Sequence, residues 1–111
     1  MLRTILDSDE FRASADRKVK RPMEYVVSAL RTVLPNNPGA AHIRSAAEEI
    51  AGLGQLHFMW PAPNGYPDAA GYWINTSGML GRWSFAFAMA EDRLAGVRLD
   101  IAELAGTART P

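Results

Sequence analysis

The chain has 111 residues, with twelve basic against twelve acidic side chains, so it carries no formal net charge and is short enough to be one domain, residues 1–111. That balance argues against a polyanionic partner such as nucleic acid, and the absence of cysteine excludes disulfides and thiolate metal sites. No run approaches the ~18 consecutive apolar residues of a membrane helix, and the opening "MLRTILDSDEF" lacks the apolar run and cleavage site of a signal peptide, which leaves the compartment unread.

Leu2, Ile5 and Leu6 fall at helical spacing, with nothing before them to cap a helix, and the segment reads as the last turns of something longer. Ser8 offers an N-cap oxygen, and Asp9 and Glu10 place negative charge at a helix start, so "SDEFRAS" predicts a short helix or turn anchored by Phe11. Pro22 suits a first helical position, and Met23, Val26, Val27, Leu30, Val33 and Leu34 recur at three- and four-residue spacing after it. The run from Pro35 to Gly39 stops that helix. A second amphipathic helix is predicted from about Ala40 to Leu53, with Ile43, Ala46, Ala47, Ile50 and Leu53 inward and Gly52 and Gly54 closing it. Asn75, Thr76 and Ser77 are N-cap candidates for a long helix reaching Leu94, whose buried face is read as Leu80, Trp83, Phe87, Ala90 and Leu94, widened by Phe85 and Met89. Asp100 caps a last short helix, "DIAELAG". No stretch alternates with a two-residue period. The expected fold is all-α, four or five helices with one long irregular loop.

That loop, residues 58–75, is the unusual stretch. Prolines fix φ and donate no hydrogen bond, so "WPAPNGYPD" predicts an ordered, stiff path holding Trp60, Tyr66 and Trp73 at defined positions. Asn64 and Gly65 signal a turn, and Asp68 and Asn75 can satisfy backbone amides. One reading buries the rings as a lid on the core. The other leaves rings exposed beside Asn75 and Arg82, as a surface for a partner or a sugar-like or peptide ligand. In the first reading Arg82 hydrogen-bonds loop carbonyls or pairs with Asp68, and Gln55 donates to loop backbone after the Gly54 turn, so that Gln55, Gly65, Asp68 and Arg82 organise the loop.

The runs "ILDSDEF", "VKRPMEYVVSALRTV" and "LGQLHFMWPAPNGYPDAAGYWINTSGMLGRWSFAFAMA" resemble the C-terminal end of the bacterial domain-of-unknown-function 1800 family over about residues 5 to 90. The family pattern falls on Phe11, Lys20, Pro22, Arg31, Gly54, Gln55, Pro61, Pro63, Gly65, Pro67, Trp73, Arg82 and Phe85, and departs at Tyr66, where tryptophan is more usual. The resemblance implies a helical fold, a C-terminal piece of a several-fold longer protein, and a parent that in many members looks exported. It implies no activity.

The sequence holds none of the strong nucleophile, phosphate-loop or zinc signatures, and its two histidines, His42 and His57, lack the spaced carboxylates of a metal set. The basic stretch "ADRKVKRP" reads as a solvated connection before a helix. No cofactor is expected, and intrinsic catalysis is not the favoured reading. The sequence favours a non-catalytic module that packs, through the Pro/Trp loop and apolar helix faces, against the remainder of a larger protein or a partner. A corollary is self-association through the first or the last long helix. The alternative is a ligand-binding or enzyme-contributing domain with Tyr66, Trp73, Asn75 and Arg82 lining a pocket.

Overall fold

A computed structural model describes residues 1–33 and 39–107, among which there are seven helices and no strand. They are α1 (Leu2–Leu6), α2 (Asp9–Ala13), α3 (Pro22–Val33), α4 (Ala40–Gly52), α5 (Ala70–Trp73), α6 (Thr76–Ala90) and α7 (Ile101–Thr107). Of the expected stop signal from Pro35 to Gly39, all but Gly39 lies outside the described residues. The helical class stands, and the described residues form seven helices rather than four or five because the two short N-terminal segments each make a helix of their own and α5 is an added turn inside the aromatic segment.

Ser8 caps α2 as its position predicts, accepting from the Phe11 amide at 3.2 Å. Phe11 itself is no anchor: its ring is half exposed, and neither α1 nor α2 buries a residue. The core is built by Val26 and Leu30 of α3, Ile50 of α4 and Phe85 of α6, together with Leu94 and Val97 from the segment after α6. Trp73 of α5 is buried apart from this cluster.

The end of α4 shows how local chemistry sets the long-range contacts. Gly54, at φ +90°, donates its amide to the Ala51 carbonyl and Gln55 donates to Ile50, the paired closure that needs a left-handed residue past the helix end. The closure aims the buried Gln55 side chain at α3, where its Oε1 accepts from the Met23 amide at 2.8 Å. Gln55 therefore acts as an acceptor capping α3 from a distance, rather than as a donor to loop backbone. Glu24 Oε2 accepts from the Arg21 amide at 3.2 Å at the same helix start.

The face that α6 buries differs from the expected one. Leu80, Trp83 and Phe87 are 57%, 62% and 61% exposed, and the inward residues are Arg82 and Phe85, with Ala88 and Met89 half buried. The helix is apolar nearly all round, so hydropathy alone does not choose a face. Close approach chooses it: a Cβ on Gly81 would stand 2.7 Å from Leu53 Cδ2, and one on Gly78 3.3 Å from the Trp73 carbonyl oxygen. The glycines let α6 come close on the side that buries Arg82 and Phe85, which leaves Leu80, Trp83 and Phe87 on the outside. Ile43, placed on the buried stripe of α4 by its spacing, is likewise 63% exposed.

α6 also stops at Ala90 rather than reaching Leu94. Asp92 takes φ +54°, its amide donates to Met89 and the Arg93 amide to Ala88 at 2.8 Å, which repeats the α4 closure with aspartate in the glycine position. Leu94 and Val97 still reach the core because the following segment is stitched to α4. Ser45 Oγ donates to the Ala95 carbonyl at 2.9 Å, and His42 Nε2 hydrogen-bonds the Gly96 carbonyl.

Candidate functional site

Between Gln55 and α6 the chain builds a closed circuit of four rings. Trp60 lies 4.9 Å from Tyr66, Tyr66 5.9 Å from Trp73, Trp73 4.8 Å from Tyr72, and Tyr72 6.0 Å from Trp60, centroid to centroid. The last two contacts are edge-on, at 82° and 85°, the arrangement favoured by ring quadrupoles. Polar handles fix three of the four rings. Trp60 Nε1 donates to Asn64 Oδ1 at 3.2 Å, Tyr66 Oη to the Leu56 carbonyl at 2.7 Å, and Trp73 Nε1 to the Pro67 carbonyl at 2.9 Å. Gly65 sits at φ +71° in the turn that begins at Ala62.

The structure divides the sequence-nominated residues into three places. Trp60, Tyr66 and Trp73 belong to the ring circuit, with Trp73 only 4% exposed and the other two half buried. Asn75 is spent as the N-cap of α6, accepting from the Gly78 amide at 2.7 Å and donating to the Tyr72 carbonyl at 3.2 Å. Arg82 is elsewhere: its guanidinium donates to the Lys20 carbonyl at 2.7 Å and lies 5.0 Å from the Tyr25 ring centroid, while Tyr25 Oη donates back to the Arg82 carbonyl at 3.1 Å. Asp68 takes Arg21 as its partner, 3.0 Å away, and that pair, not Arg82, ties the aromatic segment to the start of α3. Tyr72 was missed as a member of the circuit. Its signal is its place next to Trp73 in "GYW".

Two other surfaces carry more open apolar area. The first is the outer stripe of α6, formed by Met79, Leu80, Trp83 and Phe87; the helix's one charged residue, Arg82, points the other way into the protein. The second is a groove of about 590 Å³ between α3 and α4, floored by Met23, Val27, Leu30 and Ile50 and edged by Arg31, His42 and His57. His42 is fully engaged at this edge. Nδ1 accepts from the Gly39 amide at 2.9 Å, and Nε2, facing a carbonyl, is the donor. Beside the groove lies a hollow of about 640 Å³ lined by Lys18, Lys20, Glu24 and Arg31 among others. The Lys18 ammonium, hydrogen-bonded to Glu24 at 3.0 Å, and the Arg21 amide hold the Glu24 carboxyl below its ordinary range. Tyr66, Trp73, Asn75 and Arg82 line neither cavity. Among the described residues no group of three or more His, Asp or Glu side chains is placed to hold a metal ion, and no helix is long and apolar enough to cross a membrane.

A family model described as "Protein of unknown function (DUF1800)" matches residues 1–110. No curated protein and no solved structure matches the chain.

Proposed function

The chain belongs to the DUF1800 family, whose function is unknown, so kinship supplies no reaction, and from the surface we propose that it is a non-catalytic helical module whose α6 outer face is covered by protein. The observation that carries this reading is the stripe of Leu80, Trp83 and Phe87, each more than half exposed and uninterrupted by charge. Bulky apolar side chains contiguous along about two turns are an expensive surface to leave in water, and such patches mark interaction sites. The covering surface is the remainder of a longer family protein or a second copy of this chain. Zero net charge removes the long-range repulsion that would oppose two copies meeting. The aromatic circuit supports the same reading from the other side: its rings pack on one another and the polar atoms of Trp60, Tyr66 and Trp73 are used internally, so it stiffens the module.

The test is the double variant Trp83→Glu with Phe87→Glu. The wild-type chain is expected to associate at high concentration by light scattering, or to bind an apolar reporter dye while monomeric. The variant, with unchanged helical circular dichroism, is expected to do neither. If wild type and variant match in mass and in dye binding, the reading fails.

A further inference from the structure

The groove between α3 and α4 points beyond protein docking. Its floor is apolar along the length of both helices, and Arg31 stands where the groove passes into the adjoining hollow, lining both. Among the described residues no carboxylate stands within ion-pair distance of Arg31. Lys20, in the same hollow, donates to the neutral Ser28 hydroxyl at 3.0 Å, so its charge is not cancelled either. The acid of the hollow, Glu24, is committed to Lys18 at 3.0 Å and Arg21 at 3.6 Å. An apolar trough thus opens onto uncompensated cations.

We propose that this groove binds one free medium-chain fatty carboxylate, its acyl chain along α3 and α4 and its head at Arg31 with Lys20 beside it. The size of the groove suits a small apolar ligand. The groove offers about 590 Å³, within the range of small-ligand sites. Charge decides the head group: a carboxylate pairs with a guanidinium through two hydrogen bonds, whereas an ammonium head would meet like charge. A site for one acyl chain also sets a free acid apart from a two-chain membrane lipid.

Calorimetric titration of the whole chain, below micellar concentrations, tests this. Decanoate is expected to saturate at one per chain and octanoate to bind about tenfold more weakly, as two methylenes fewer are buried. Decyltrimethylammonium is expected not to bind measurably. Arg31→Gln, on an exposed side chain, should weaken decanoate about tenfold, and Ala47→Phe, which fills the groove from an exposed position, should abolish it. Helical circular dichroism shows that both variants fold. The proposal is overturned if decanoate does not bind, if it binds no better than decyltrimethylammonium, if Ala47→Phe leaves its affinity unchanged, or if the chain floats with anionic phosphatidylglycerol vesicles while ignoring free decanoate. Because neither variant touches α6, this outcome is independent of the association test.

Discussion

Gln55 shows how much one side chain can carry in a domain this small. Its Oε1 reaches across 32 residues of sequence to the Met23 amide, one of the orphan donors at the start of α3. Removing the oxygen leaves that donor unpaired in a half-buried position, which costs about 1–2 kcal/mol. Gln55→Ala is therefore expected to lower the Tm by about 4–8 °C for each kcal/mol lost, measured by thermal circular dichroism. Gln55→Glu keeps the acceptor and places a negative charge at the positive end of α3, so it should lose less. Equal losses in the two variants would mean that the bond is not what stabilises the site. Arg82 illustrates the same economy of contact: a single buried guanidinium holds the Lys20 carbonyl and stacks on Tyr25. The sequence marked both residues as important, but their partners lie 32 and 62 positions away, and no local pattern names a partner at that distance.

Among the elements, those governed by local rules were legible and those governed by packing were not. Pro22, Ser8, Asn75 and Gly54 signal their helix ends through chemistry confined to a few residues. The face of α6 depends on what lies opposite, and there the glycines at 78 and 81 outweigh the larger apolar side chains. The end of α6 was misplaced because its closure uses Asp92 where glycine is the familiar marker. The left-handed region costs an ordinary residue ~1–2 kcal/mol, and aspartate bears less of that strain. It is compensated here by Asp92 Oδ1 accepting from the Leu99 amide at 2.9 Å. Asp92→Asn, which retains both the tolerance and the oxygen, should leave chemical denaturation unchanged within error. Asp92→Ala loses both and should cost about 1 kcal/mol or more; the reverse order would remove aspartate's special role. Of the candidate site, the three rings nominated in the loop do meet, whereas the α3–α4 groove was invisible because its lining residues read only as a core stripe.

The whole molecule is more open than its mass requires. Its radius of gyration is 16.5 Å, where a compact chain of this length has about 13 Å. It exposes 8810 Å² against roughly 6,000 Å² for a compact monomer of 12.1 kDa. Exposed apolar side chains lie on the α6 stripe and at the α3–α4 groove, which face different partners in the readings above, and also on the N-terminal helices and at Leu56, Phe58 and Met59. Zero net charge does not counter the exposure, and local charges such as those of Glu48 and Arg44 stand on the open side of α4. The two N-terminal helices add to the openness, since neither contributes a side chain to the core. Their backbone hydrogen bonds are consequently sheltered by little more than water, and the free energy needed to open them is close to that of fraying ends. In deuterium oxide, the amides of 2–13 should label at nearly the rate of an unstructured peptide, long before those of Val26, Leu30 and Phe85. The chain would thus disclose, on a clock, which part of it is scaffold and which part is only resting there.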